Sequence, residues 1–435
     1  MKFSCAASDP DTEYLDYTWY VDEIEVSQSQ YYIFDMPSGE YTVLLEVSDG
    51  INTATYQWDV TVLGSPNFAK IQNRLERIRG LKFLEPVDRV EIDRTQLRES
   101  LMADLNEDRE LIDKEKALYV ALHVMDPEED LYQLYVDLLT SQVASYYDTG
   151  DHTFYEVVDP DEPVICREFV AAHELTHALQ DQYGYLDVDL ENDDEYLAFL
   201  SLVEGDAMFH QYMYLDEMTQ FEKNNLFEYV NTLDIPVINV LLENIIMLSY
   251  RLGLEFVTTM SFSGGVDSLY ERLPASTEQV MHPEKYIADE LPVPVSVPSL
   301  PGWEKLTENT LGEAIMKTIL TEHISSDKAG EAAEGWGGDR YCYYTKGGDY
   351  IFVLNTFWDT EEDAEEFFKA YHDFTDSWSN KAITEVERDI YRVPTGFLAL
   401  VRKGDHILIV ESPSLEAVKE ALSLLKSYPL MVELT

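Results

Sequence analysis

The chain has 435 residues, of which 30 are lysine or arginine and 84 aspartate or glutamate, for a formal net charge of −54. That balance excludes nucleic acid as a partner, because phosphate binding needs lysine and arginine massed on one face. It also describes a hydrated surface whose self-repulsion needs salt to screen it, as in proteins that work at high ionic strength. The three cysteines, Cys5, Cys166 and Cys342, are too few and too scattered for a disulfide framework.

From residue 1 to 63 the pattern is that of alternating strands. Tyr41, Val43, Leu45 and Val47 fall on one face, with turns at Pro37-Ser38-Gly39 and Ser48-Asp49-Gly50. The stretches Ser8-Asp9-Pro10-Asp11, Tyr17-Thr18-Trp19, Ser38-Gly39-Glu40-Tyr41-Thr42-Val43 and Trp58-Asp59-Val60-Thr61-Val62 resemble the immunoglobulin-like module of polycystic-kidney-disease (PKD) type. The resemblance implies an all-β immunoglobulin-like sandwich over 1–63, without its first strand. Such modules are appended to secreted and cell-surface enzymes as spacers or binders. An extracellular or cell-surface location is therefore expected, with the export signal upstream of this chain, since no signal peptide is visible at Met1-Lys2-Phe3-Ser4-Cys5.

Gly64-Ser65-Pro66 reads as a linker. Helices are expected at 68–79 and 96–105, a strand at 87–92, and a strand pair within 141–158. Next comes His173-Glu174-Leu175-Thr176-His177. Two imidazoles four residues apart on a helix share a face and can grip one metal ion. Zinc held this way polarises a water, and Glu174 between the imidazoles is placed to take its proton. Chance explains such a string, in a chain with 9 histidines, roughly one time in fifty. Phe169, Val170, Ala172, Leu175, Ala178 and Leu179 frame it as an amphipathic helix, with Gly184 as its stop.

A catalytic zinc takes three protein ligands and keeps a fourth position open. Glu204 is the candidate third ligand, since it lies on a helix expected over 194–215, on a face with Leu200, Val203, Ala207 and Gln211. A carboxylate in an apolar stripe is costly unless a cation compensates it. Gly205 and Ala207 are expected to keep that helix slim for close approach to the His173–His177 helix. Glu195 lies nine residues earlier, on the opposite face at about 100° per residue. The run Glu191-Asn192-Asp193-Asp194-Glu195 suits a helix cap and first turn, with calcium as an alternative tenant.

His173-Glu174-Leu175-Thr176-His177-Ala178 followed by Asp181 resembles the active-site helix of the gluzincins, the thermolysin-like zinc peptidases. The resemblance implies a zincin-like, mostly α catalytic domain with a small sheet over 64–330. It also implies zinc on His173, His177 and Glu204, Glu174 as general base, and a protein or peptide substrate held along a strand edge within 141–158. The interval from His177 to Glu204 is longer than thermolysin's, and Met208 stands where that family has an acidic partner for a ligand. Asp206 or Asp181 is the expected substitute for orienting a ligating imidazole. An oxyanion-stabilising group must come from another segment. His282 and Tyr286, in a proline-flanked loop-like frame, are the candidates, with Tyr183 and Arg340 behind them.

The apolar stretch 235–260 is broken by Glu243, Arg251 and Glu255, so a buried helix is expected rather than a membrane span. The proline-rich stretch 292–301 marks a connection. Beyond Gly335-Trp336-Gly337-Gly338-Asp339, strands near 341–344, 350–356, 383–388, 396–402 and 406–411 with helices at 361–374 and 415–427 make an α+β domain over 331–435. The glycines of its opening motif are too sparse for a phosphate loop. The whole reads as a multidomain, secreted, salt-adapted zinc peptidase. The rival reading is a non-catalytic surface or adhesion protein with a structural or vestigial metal site. A zinc hydrolase acting on a non-peptide amide stands third.

Overall fold

A computed structural model of the chain describes residues 2–425, apart from 13, 35, 37, 38, 63–65, 160, 161 and 235. The turn at Pro37-Ser38, the linker residues Gly64 and Ser65, and the last helix beyond Leu425 lie outside the described residues.

Six strands come first: β1 (Lys2–Ser4), β2 (Asp16–Val21), β3 (Ile24–Ser27), β4 (Tyr31–Ile33), β5 (Gly39–Ser48) and β6 (Thr53–Val62). Helix α1 (Phe68–Arg79), strand β7 (Asp88–Ile92) and helices α2 (Arg94–Glu107), α3 (Arg109–Ala121) and α4 (Leu131–Gln142) lead to the hairpin β8 (Ser145–Asp148) and β9 (Thr153–Val157). A helical middle follows, with α5 (Val164–Gln182), α6 (Asp193–Asp216), α7 (Gln220–Val230) and α8 (Val240–Met260). It closes on the short helices α9 (Asp267–Glu271), α10 (Thr277–Met281) and α11 (Pro283–Ala288). The last region holds β10 (Glu304–Asn309), α12 (Gly312–Thr321), α13 (Ser326–Ala333), β11 (Trp336–Lys346), β12 (Asp349–Trp358) and α14 (Glu361–Trp378). It ends with β13 (Thr384–Glu387), β14 (Ile390–Val393), β15 (Gly396–Lys403), β16 (His406–Ser412) and α15 (Leu415–Leu425). The protein is thus multidomain, with all-β sheets at the N-terminus, a helical middle and a C-terminal sheet. No helix among the described residues is long and apolar enough to cross a membrane.

Two compact units interleave along the chain. The first comprises residues 1–91, 145–175 and 210–234. Its N-terminal part has a two-stranded sheet, β1-β4, and a four-stranded antiparallel sheet in the order β3-β2-β5-β6. Period-two alternation turns Tyr41, Val43 and Leu45 of β5 inward, where they meet Trp19 and Val21 of β2 and Phe3, Tyr32 and Phe34. Val47 is only partly buried against that core. The same unit holds the sheet β7-β9-β8, in which β8 is an edge. Glu156 of β9 is buried and gripped on both oxygens, by Arg89 Nε and Arg167 Nε at 2.6 Å each. Arg167 belongs to the first turn of α5, so this charged clamp fixes the start of the histidine helix against the sheet. A doubly paired carboxylate avoids the penalty of an uncompensated buried charge.

The second unit comprises residues 92–144, 176–209 and 236–425 of the described chain. Helix α8 fulfils the expectation of a buried helix in the stretch 235–260, with Leu241, Leu242, Leu248, Phe256 and Val257 all buried. Gly253 of α8 meets Gly205 of α6 backbone to backbone, because a Cβ on Gly205 would lie 2.2 Å from the Gly253 carbonyl oxygen. The slimness expected of Gly205 therefore serves α8, not the histidine helix.

The C-terminal sheet has seven strands in the order β10-β11-β12-β16-β15-β14-β13. It takes in β10, ahead of the boundary expected at 331, since β10 pairs antiparallel with β11. Ile351-Phe352-Val353-Leu354 is buried throughout because both faces are covered. Phe352, Leu354, Leu400 and Ile409 pack with Phe367, Tyr371 and Phe374 of α14. Ile351, Val353, Ala399 and Val410 pack with Val418, Ala421 and Leu422 of α15 on the other face. The glycines before Asp339 serve packing: the Asp339 carboxylate accepts the Leu311 and Gly312 amides at 2.9 Å, and Gly338 lies against the Val293 carbonyl.

Candidate metal centre

Helix α5 carries His173 and His177 one turn apart, with Ala171, Ala172, Leu175, Ala178 and Leu179 buried around them. Helix α6 starts at the acidic run, where the Asn192 side chain accepts the Glu195 amide at 3.0 Å and three acidic residues occupy the first turn. The run does not converge on one point. Glu195 turns back to the Glu191 amide, whereas Asp194 is buried and accepts from the Thr277 amide and hydroxyl. No grouping of three metal-type ligands involving the run occurs among the described residues.

The two helices run antiparallel. Gln211 Nε2 of α6 donates to the Phe169 carbonyl of α5 at 3.0 Å, and Gln180 Nε2 of α5 donates to the Val203 carbonyl of α6 at 2.9 Å. Between these two cross-links, His173, His177 and Glu204 bring one ligand atom each to within 4.8 Å of one another.

His177 Nε2 lies 3.5 Å from Glu204 Oε2. A charge-assisted N–H···O bond is shorter, about 2.7–2.9 Å. A tetrahedron of ligands at about 2.1 Å from a zinc has edges of about 3.4 Å. The spacing thus matches two corners of a coordination shell better than it matches a charge-assisted hydrogen bond. Two imidazoles and one carboxylate suit zinc, a borderline metal that accepts nitrogen and oxygen alike.

His177 Nδ1 lies 2.8 Å from Gln180 Oε1. Gln180 and Asp206 are fully buried, and Gln180 Nε2 also reaches Asp206 Oδ2 and the Tyr270 hydroxyl at 3.0 Å each. Tyr270 donates to the same Asp206 oxygen at 3.0 Å, and its ring stacks on Tyr185 at 4.3 Å. Asp206, expected to orient a ligating imidazole, reaches one at one remove, through Gln180.

Glu174 is buried, and its Oε2 accepts the Tyr147 amide of the edge strand β8 at 3.0 Å. The helix that carries the histidines thus sets a carboxylate against the outer strand of the small sheet. Within 141–158 the expected strand pair is present, with Tyr147 opposite Phe154.

His282 and Tyr286 are held by other partners. His282 Nε2 bonds Glu313 Oε1 at 2.9 Å, and that hydrogen bond raises the imidazole pKa. Tyr286 is buried against Phe256, and its hydroxyl donates to the Arg272 carbonyl at 2.6 Å. Of the weaker candidates, Arg340 lies 4.0 Å from Glu308, and Tyr183 packs beside Tyr185. Gln180 and Tyr270 escaped the reading of the sequence. Gln180 carried a usable sign, since a polar residue three positions beyond a ligating histidine shares its helix face. A second acidic grouping, Glu278, Glu290 and Asp359, is closed by the chain's own cation. Lys285 Nζ lies 2.6 Å from Glu278 and 2.9 Å from Glu290, and also pairs with Asp359.

Residues 300–422 match a family model described as a domain of unknown function (DUF8575). No curated protein and no solved structure matches the chain. The matched region is the C-terminal sheet with its helices, and it contains none of the residues of the metal centre.

Proposed function

We propose that this protein is a zinc-dependent peptidase of gluzincin type, secreted and adapted to salt. The spacing of His177 Nε2 and Glu204 Oε2 carries the reading, because it sets a carboxylate from the neighbouring helix within 4.8 Å of both imidazoles, as a third zinc ligand would have to be. Glu204 turned away from the histidines would have favoured the non-catalytic surface protein.

A zinc ion bound by His173, His177 and Glu204 supplies Lewis-acid activation of water and of a peptide carbonyl. Glu174 accepts the proton of the attacking water and returns it to the leaving amine. The Tyr147 amide, by donating to Glu174 Oε2, holds that carboxylate in place beside an edge strand. The remaining edge of β8 offers main-chain groups for pairing with an extended substrate, which makes a polypeptide the natural substrate class. On this reading the helical middle with its small sheet is zincin-like, and the N-terminal sheets around Trp19 form the immunoglobulin-like PKD module. The net charge of −54 supports work in concentrated salt, and the appended module supports an extracellular or cell-surface site.

The test uses the full chain in molar salt. Metal analysis should find about one zinc per chain, and an unstructured protein should be cleaved in a chelator-sensitive way. Glu174→Gln should keep the zinc and lose activity by about a thousandfold, within the range for a general base. A fully active Glu174→Gln protein, or cleavage indifferent to chelation, overturns the proposal.

A further inference from the structure

We infer that Gln180 is the positioning residue of the metal centre, fixing both the proton position on His177 and the register of the helix that presents Glu204. The inference rests on the zinc reading above for its purpose, but its geometry stands without an ion. A glutamine side chain can face either way, and its surroundings decide. Here Nε2 sits 2.9 Å from the Val203 carbonyl, an acceptor that cannot donate, and 3.0 Å from Asp206 Oδ2. The amide nitrogen must face them, so Oε1 must face His177.

An amide oxygen only accepts, so His177 Nδ1 must carry the hydrogen in the 2.8 Å bond between them. The lone pair of the neutral ring is thereby confined to Nε2, the atom 3.5 Å from Glu204. Two electron-rich atoms facing each other at that distance call for a positive charge between them. The same amide holds the carbonyl of Val203, the residue immediately before Glu204. One side chain therefore aligns a ligand on its own helix and a ligand on the next.

Tyr270 completes the device. Its hydroxyl donates to the Asp206 oxygen that receives Gln180, and it comes from a helix 90 residues further along the chain. Asp206 is thus pinned from a second direction, and the amide cannot turn over without breaking bonds on both sides.

The test reads the proton directly. In metal-free full-length protein with nitrogen-labelled histidine, long-range nitrogen–proton correlation spectra should show His177 as the Nδ1–H tautomer in wild type. Gln180→Met, which keeps the bulk and removes both amide groups, should release that tautomer and weaken zinc binding about 10–100-fold in competition with a chromogenic chelator. Should Gln180→Met fold poorly, Tyr270→Phe serves instead, with a smaller loss of zinc affinity and a changed visible spectrum of the cobalt-loaded protein. A merely structural glutamine would lower thermal stability while leaving tautomer, zinc affinity and cobalt spectrum alone. An Nε2–H tautomer in the wild type overturns the inference, as does zinc affinity within twofold of wild type in both variants. A wild type that shows the Nδ1–H tautomer yet takes up no zinc leaves the lock standing and overturns the zinc reading.

Discussion

Among the described residues two places draw three ligand-type side chains together, and they do so for opposite purposes. Glu278, Glu290 and Asp359 gather around Lys285, so the chain closes that group with its own ammonium. Burial works against the charge of Lys285, but hydrogen bonds to Asp359, Glu278 and Glu290 outweigh it and hold the lysine pKa well above its ordinary value. His173, His177 and Glu204 instead combine two imidazoles with one carboxylate, and the Gln180 contact turns a nitrogen lone pair toward the carboxylate. Convergent carboxylates alone therefore say only that a cation is needed. The mixture of nitrogen and oxygen donors, with the second ring nitrogen already hydrogen-bonded, is the donor set that the proposed zinc would need.

The sharpest way to break this contrast is to remove ligands from each group in turn. His177→Ala should drop bound zinc from about one per chain to near zero, whereas Glu290→Gln with Asp359→Asn should leave it at one. Zinc lost equally from both would erase the distinction. Next in size is Lys285→Met. Glu278 is almost wholly buried, and burial pushes its carboxyl up to about 7 even with Lys285 beside it. Stripping the ammonium should cost about 3–5 kcal/mol in denaturant unfolding, as for other broken buried pairs. Adding Glu278→Gln should recover a good part of that loss. Stability unchanged in the single variant would mean that the lysine merely decorates the surface.

The two groups also differ in how far the sequence announced them. His173 and His177 were legible from spacing alone, and Glu204 from the cost of a carboxylate on an apolar face. The β5 alternation was readable for the same reason, since burial of one face writes a period into the chain. What stayed hidden depends on partners distant in sequence. His282 looked like a cleft residue because its loop-like frame was visible, while its partner Glu313, 31 residues on, was not. Tyr270 lies 90 residues beyond Gln180, so no local pattern links them. Gly205 announced a close approach but not which helix makes it. The strand β10 escaped because its pairing with β11 bridges two intervening helices.

That close approach gives a smaller effect that still bears on the metal group. A Cβ on Gly253 would lie 1.9 Å from the Ser201 carbonyl oxygen and 2.9 Å from the Gly205 nitrogen, all backbone that cannot swing aside. Gly253→Ala must part α6 from α8, at a cost of about 1–3 kcal/mol for an overpacked contact. Because α6 carries Glu204, zinc affinity should fall as well. Gly330 in α13 is the control, since its Cβ would find nothing nearer than Lys317 Cε at 3.6 Å. Gly330→Ala should be neutral, or stabilising by about 0.5–1 kcal/mol, as for glycine within a helix. Equal losses in thermal melts of the two variants would remove the special status of the α6–α8 contact.

The smallest effect separates buried acids that have a cation from one that has none. Among the described residues Asp194 receives the Thr277 amide and hydroxyl, and burial pushes its carboxyl up to about 8, with Asp339 and Glu278 adding to the rise. An unfolded aspartate titrates near 3.9, so the folded state holds the extra proton across the interval between. The stability tied to that proton is fully present below about pH 4 and is lost as pH rises through about 8. Asparagine copies the shape of the protonated acid and cannot ionise. Wild type should therefore lose stability relative to Asp194→Asn between pH 5 and pH 8, by about 1 kcal/mol once relaxation of the site is allowed for. Asp339, whose carboxyl burial pushes up to about 6, is present in both proteins, so it enters the difference only through its repulsion of Asp194. Melting curves recorded at constant salt should diverge toward alkaline pH, and curves that stay parallel would show that Asp194 is already ionised in the fold.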